Sequence, residues 1–287
     1  MVLWCVLGND AAVALAEYVG GTVEGFAKLM NTKAIELGLT STHFVTPHGL
    51  DNDGHFTTAY DLAILTDYAL TNEIFSKIVK TKTYTISLNG YPKTLSNTNE
   101  LLGNLDGVYG VKTGFTNGAN RFLVTSCKRG NLDIICVVLG CDTKKDRTRD
   151  SINLINYTFN NFTVTNIKDI IISDFEKWYT EHINSFTINK GISTSFELAI
   201  DENAIPYSIV AIRNTDKDKI TTSIEFNSYF DAPITSNTTI GKLTLLIDNT
   251  EYFKIDIINL SDIHKKNVID YFSNMIFNYI SYLKYII

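Results

Sequence analysis

Gly107-Val-Tyr-Gly-Val-Lys-Thr-Gly114 is the stretch whose reading decides the fold. Its apolar, β-branched body predicts a strand, and a cation, a hydroxyl and a residue without a side chain close it in succession. Such a strand end is a binding edge. Lys112 holds an anion by charge, Thr113 donates or accepts a hydrogen bond, and Gly114 lets a ligand backbone approach without meeting a Cβ. Together they suit a peptide ending in a carboxylate. A Lys-Thr-Gly triplet alone fits a solvated strand end and a turn glycine equally well, so its neighbours carry the reading.

Downstream, residues 121–127 and 132–139 form two more strands joined by a turn at 128–131, predicting a three-stranded antiparallel sheet, and a helix over 145–159 closes the unit. Upstream, residues 81–88 alternate as a strand ending at Asn89-Gly90, a hairpin-type turn. Before it, Thr58 with Asp61 reads as a capping-box start to a helix through Leu70, and Asn72 begins another to about Val79. Residues 9–18 are alanine-rich and helical, with Asn9 or Asp10 as the cap. Thr22 opens a partner helix with an apolar stripe of Val23, Phe26, Leu29, Met30 and Leu37, which Gly38 ends. Helices first, then a meander, then a helix predict an α/β (α+β) layer with helices packed on an antiparallel sheet.

The loop from Thr42 to His55 contains His43, His48, His55, Asp51 and Asp53, but their spacing matches no common zinc pattern and Asp51-Asn52-Asp53-Gly54 is turn chemistry. Neither a metal nor a cofactor is expected. Beyond 161, β-branched or aromatic runs at 163–167, 185–188, 195–200, 207–212, 222–226, 243–247 and 252–258 predict a small all-β domain over 163–260. In the tail, 261–287, Asn267, Asp270, Asn274, Asn278 and Ser281 face away from Val268, Phe272, Met275, Tyr279, Leu283 and Ile286, an amphipathic helix. Preceded by His264-Lys265-Lys266, it fits a membrane surface or docks on the β domain; Asp270 and Lys284 argue against a true span.

Composition sets the outer bounds. With 45% hydrophobic and 20% charged residues, 287 residues fold around a sizeable core, and a net charge of -6 argues against a nucleic-acid partner. Cys5, Cys127, Cys136 and Cys141 lie in apolar surroundings without Cys-x-x-Cys spacing and read as buried thiols. The apolar start Met-Val-Leu-Trp-Cys-Val-Leu lacks a positive n-region, so no signal peptide is expected in this chain.

Asp10-Ala-Ala-Val-Ala-Leu-Ala-Glu17, the Thr46-Pro-His-Gly-Leu-Asp51 loop, Gly110-Val-Lys-Thr-Gly-Phe-Thr116 and the hairpin after it resemble, in order and spacing, the serine D-alanyl-D-alanine carboxypeptidases, the low-molecular-weight penicillin-binding proteins. The resemblance runs from about 7 to 162; the β domain with Ile240-Gly-Lys-Leu243 is similar to their small C-terminal domain and the tail to their membrane anchor. It implies a penicillin-binding-protein/β-lactamase-like domain acting on peptidoglycan stem peptides ending in D-Ala-D-Ala, at the extracytoplasmic face of the bacterial cell membrane. Active relatives are trapped covalently by β-lactams.

That family works with three elements: a Ser-x-x-Lys nucleophile, a Ser-x-Asn motif that relays a proton, and a Lys-Thr-Gly strand that binds the terminal carboxylate. By resemblance Lys112, Thr113 and Gly114 are the substrate-binding strand, and Asn9 and Lys112 are the catalytic residues that carry over. Leu7 stands where the family has Ser, and Leu relays no proton. The one Ser-x-x-Lys string, Ser281-Tyr-Leu-Lys284, lies in the tail and reads as coincidence. The expectation is a partial, truncated carboxypeptidase domain over 1–162, without the nucleophile and with an unpaired sheet edge, inactive as this chain. A non-catalytic peptidoglycan-peptide-binding module and a membrane-surface structural protein are the alternatives.

Overall fold

The computed structural model describes residues 8–286, leaving out the side chains of 278 and 281–286, so Cys5 and Leu7 lie outside the described residues. The chain divides into two compact units, Met1–Asn161 and Phe162–Ile287.

In the first unit α1 (Asn9–Gly20) and α2 (Val23–Glu36) pack on each other as the expected hairpin. Asn9 is not the cap of α1 but its first helical residue: Gly8 takes the cap position and offers no side chain. Thr22 caps α2 by accepting from the Gly25 N–H at 2.9 Å. The face that α2 buries is lined by Ala27 and Ala34, while Leu29 points half into solvent. Ahead of α3 (Ala59–Leu70), Thr58 Oγ1 accepts from Asp61 N–H at 3.1 Å. Asp61 does not close the box. Its buried carboxylate instead accepts from Ser41 N–H at 3.0 Å and Thr42 Oγ1 at 2.6 Å, tying the entry of the histidine loop to α3. Asn72 caps α4 (Glu73–Val79) through Ile74 N–H and Phe75 N–H.

A hairpin follows: β1 (Thr83–Leu88) turns at Asn89-Gly90, both with positive φ, into β2 (Tyr91–Ser96), with Leu88 opposite Tyr91. β2 went unread in the sequence because Pro92 and Lys93 interrupt its apolar pattern. β3 (Val108–Thr116), β4 (Asn120–Arg129) and β5 (Leu132–Cys141) then form the expected antiparallel sheet in the order β3-β4-β5, and α5 (Lys144–Asn161) packs on β4 and β5. Leu101, Val108, Leu123, Cys127, Cys136, Val138 and Ile155 form the core under α5. Val79, Val111 and Val124 form a second cluster with Leu62, Leu70 and Phe75 of α3 and α4. The sheet is thus covered on both faces, and its order β3-β4-β5 leaves β3 at one edge.

The second unit runs β6 (Phe162–Asn166), α6 (Ile167–His182), β7 (Thr187–Asn189), β8 (Leu198–Ile200), β9 (Ile209–Arg213), β10 (Ile220–Phe226), β11 (Tyr229–Asp231), β12 (Thr239–Ile247) and β13 (Thr250–Asn259). A four-stranded sheet, β10-β12-β13-β8, is accompanied by the pairs β6–β9 and β7–β11. The strand-by-strand reading did not anticipate α6, whose Ile167, Ile171 and Phe175 enter the core beside Leu243, Leu245 and Ile257. The tail is helical as expected: α7 (Val268–Ile286) is capped reciprocally, Asn267 Oδ1 accepting from Asp270 N–H at 3.0 Å and Asp270 Oδ2 from Asn267 N–H at 2.8 Å. Among the described residues no helix is long and apolar enough to cross a membrane.

Candidate functional site

The Lys-Thr-Gly triplet sits on the outer strand of the first unit's sheet. Lys112 lies opposite Val124, Thr113 opposite Leu123 and Gly114 opposite Phe122, and among the described residues no strand pairs with the other side of β3. An edge of this kind offers backbone donors and acceptors to an extended peptide. Lys112 is half-buried, and its Nζ donates to the Thr113 carbonyl at 2.7 Å, which draws the ammonium along the strand.

Thr113 is 5% exposed, and its Oγ1 donates to Thr98 Oγ1 at 2.6 Å. Thr98 belongs to the connection between β2 and β3, which two asparagines shape. Asn97 Nδ2 donates to the Thr81 carbonyl at 3.1 Å, and the buried Asn99 donates through Nδ2 to the Gly110 carbonyl at 2.7 Å while its Oδ1 accepts from Leu101 N–H at 3.1 Å. Glu100 anchors the same turn to α5. Arg147, itself buried, donates from one guanidinium nitrogen to both Glu100 oxygens at 2.5 and 2.6 Å, and Thr148 donates to Glu100 as well. Burial pushes the Glu100 carboxyl up, but the hydrogen bonds from Thr148 and Arg147 and the cation's charge outweigh it and hold the pKa below the usual value.

Gly114 has a different reason from the expected one. A Cβ there would lie 1.9 Å from the Phe122 ring, so the missing side chain admits the cross-strand aromatic rather than leaving open space for a ligand. The remaining expected catalytic residue, Asn9, is exposed at the head of α1 and takes no part in the hydrogen bonds of the Lys112 strand among the described residues. Leu7 lies outside the described residues, as do the side chains of Ser281 and Lys284.

The histidine loop is organised by its own hydrogen bonds. His43 Nδ1 lies 2.6 Å from the Gly54 carbonyl, His55 Nδ1 accepts from Val45 N–H at 3.2 Å, and His48 Nδ1 accepts from Leu50 N–H at 3.2 Å. Burial lowers the His55 pKa, with the charges of His43 and His48 acting in the same sense. Asp51 carries this loop across to the end of β3: Gly118 N–H donates to its Oδ2 at 3.0 Å. The Thr116 hydroxyl, first, and the Gly118 and Asn117 amides hold its carboxyl below the usual range. The sequence offers Asp51 as a turn residue, a metal ligand or the end of the Thr46–Asp51 loop; its contact with Gly118, 67 residues away, leaves no local signal. Of the cysteines, Cys127 and Cys136 are buried free thiols, Cys136 pushed up to about 11 by burial, whereas Cys141 is partly exposed.

Comparison with known proteins gives this geometry its context. A family model described as D-alanyl-D-alanine carboxypeptidase matches residues 3–143, and one described as penicillin-binding protein 5, C-terminal domain, matches residues 181–265. The chain belongs to the D-alanyl-D-alanine carboxypeptidase family. Within it, the chain is 34% identical over 242 residues to the D-alanyl-D-alanine carboxypeptidase DacF of Bacillus subtilis, covering 84% of this chain and 59% of that one. Against the D-alanyl-D-alanine carboxypeptidase DacD of Escherichia coli it is 34% identical, covering 83% and 58%. Penicillin-binding protein 5 from Haemophilus influenzae superposes with a TM-score of 0.68 at 27% identity, over 92% of this chain and 73% of that one. The Streptomyces K15 DD-transpeptidase superposes with a TM-score of 0.53 at 36% identity, over 55% and 65%. The chain thus spans about three fifths of the length of these curated carboxypeptidases. The C-terminal-domain match begins after most of α6, so the strands that follow are the part it describes.

Proposed function

We propose that this chain carries the carboxylate-binding strand of a D-Ala-D-Ala carboxypeptidase and that a polypeptide of these 287 residues binds the ends of peptidoglycan stem peptides without hydrolysing them. The observation that carries the reading is the Lys112-Thr113-Gly114 strand, held at a sheet edge with its cation drawn alongside by the Thr113 carbonyl. An extended peptide laid along β3 would gain backbone hydrogen bonds, and its terminal carboxylate a charge-assisted contact from Lys112. Hydrolysis needs a nucleophile as well. The sequence holds Ser-x-x-Lys only at Ser281–Lys284, in the tail, and Leu7 in place of the relay hydroxyl, so binding groups alone remain.

Calorimetric titration with N-acetyl-D-alanyl-D-alanine and with its C-terminal amide tests the reading. The acid is expected to bind more tightly than the amide, Lys112→Ala to abolish the difference, and no free D-alanine to accumulate. Equal affinity for acid and amide would overturn the binding strand, and steady, Lys112-dependent release of D-alanine would overturn the loss of hydrolysis.

A membrane surface is the second proposed partner, on the extracytoplasmic face of the bacterial envelope. Val268, Ile269, Phe272, Met275, Phe277 and Tyr279 of α7 are all exposed, and Lys265 and Lys266 precede the helix. Apolar area of this kind next to cations favours an interface with anionic lipid. Co-sedimentation with anionic vesicles, lost when residues 267–287 are deleted, is the expected result; equal sedimentation without them would contradict it.

A further inference from the structure

We propose that Thr98 is a binding residue of the Lys112 site, supplying the hydroxyl proton that a peptide's terminal carboxylate accepts. This rests on the reading of the Lys112 strand as the carboxylate site. An ionised carboxylate accepts hydrogen bonds and donates none, so whatever holds it must bring protons. Thr113, the residue expected to do so, has one hydroxyl proton and gives it to Thr98 Oγ1 at 2.6 Å. It is also 5% exposed, which leaves a ligand little access to its oxygen.

The proton that remains in this pair is that of Thr98. Thr98 is partly exposed, and among the described residues its hydroxyl has no acceptor. A hydroxyl that accepts a hydrogen bond is polarised into a better donor, so the Thr113 bond strengthens what Thr98 offers. Its placement is also fixed on both sides: Asn97 holds the Thr81 carbonyl, Asn99 holds the Gly110 carbonyl of β3, and Glu100 is locked to Arg147. With these contacts the turn keeps its shape without a hydroxyl at position 98. The oxygen of Thr98 satisfies the buried Thr113 hydroxyl, but among the described residues its own proton is not spent on the fold, and it stands beside the residue whose carbonyl holds Lys112 Nζ.

The test is titration of the full chain with N-acetyl-D-alanyl-D-alanine and its amide, comparing wild type, Thr98→Val, Thr98→Ser and Lys112→Ala. Val copies the shape of Thr without the proton, and Ser restores it. Thr98→Val is expected to weaken binding of the acid by about tenfold, in line with one lost hydrogen bond to a charged group, and to leave the amide unchanged. Thr98→Ser is expected to stay within about twofold of wild type, as a conserved donor requires. Should Val lower the melting temperature, Thr98→Ala gives the same readout with less bulk. Acid binding that survives Thr98→Val, or even improves as Thr113 regains its proton, while Lys112→Ala still weakens it, would overturn this inference alone. Wild type that does not distinguish acid from amide would overturn it together with the Lys112 reading.

Discussion

Replacing Glu100 by Gln removes the charge opposite a guanidinium that has nowhere else to go. The Arg147 side chain is 5% exposed and that of Glu100 24%, and among the described residues Arg147 Nε has no hydrogen-bond partner, so the two Glu100 contacts carry the neutralisation. Breaking a buried pair from one side typically costs about 3–5 kcal/mol, and the partial exposure of Glu100 puts this case near the lower end, at about 3 kcal/mol. For a unit of this size, Met1–Asn161, roughly 2–4 °C accompany each kcal/mol, which gives a fall of about 6–12 °C in melting temperature. Scanning calorimetry is the assay, since two units can melt in separate transitions. The sign with pH follows from the depressed Glu100 pKa. Its contribution is present above the unfolded value, near 4.5, and is lost as pH falls through the lower folded value, so the gap between wild type and Glu100→Gln closes in acid. A fall of less than about 2 °C at pH 7, or a gap that persists undiminished to about pH 3, would refute the reasoning.

Three further outcomes follow from contacts around the site. Gly114→Ala drives a methyl into the Phe122 ring and is expected to cost about 1–3 kcal/mol in urea denaturation, whereas the same change in a Phe122→Leu background should cost less than half of that, because the obstructing ring is gone. Asp51→Ala should lower the hydrogen-exchange protection factor of the Gly118 amide without moving that of amides at the centre of β4, and in wild type the same loss of Gly118 protection, relative to the intrinsic exchange rate at each pH, should appear as pH falls through the depressed Asp51 pKa. Leu123→Ala, at a fully buried position under α5, should lower stability by about 2–5 kcal/mol in the same denaturation experiment.

Much of the first unit was legible because its signals are local. Alternation and apolar runs marked β3, β4 and β5, and Thr22, Thr58 and Asn72 announced helices by side chains that do cap them. Where the reading slipped, a nonlocal contact had taken over a local one. Asp61, placed for a capping box, is captured by Ser41 and Thr42, and Gly114 serves the ring of Phe122. α6 was missed although Ile167, Ile171 and Phe175 recur every four residues, because the β-branched run Ile170-Ile171-Ile172 inside it reads equally as a strand. At the site, Lys112 and Thr113 could be named from the triplet, but Thr98 could not. Its contact with Thr113 depends on Asn97 and Asn99 turning an asparagine-rich loop back onto β3, which only the folded chain reveals.

The central claim is a carboxylate-binding strand without a nucleophile, and incubation with a fluorescent penicillin followed by denaturing electrophoresis tests it most directly. The account predicts no covalently labelled band for a polypeptide of these 287 residues, beside a labelled band for a full-length carboxypeptidase treated alongside. A labelled band that disappears when one serine is changed to alanine would contradict it, because an attacking hydroxyl would then be at work in the chain.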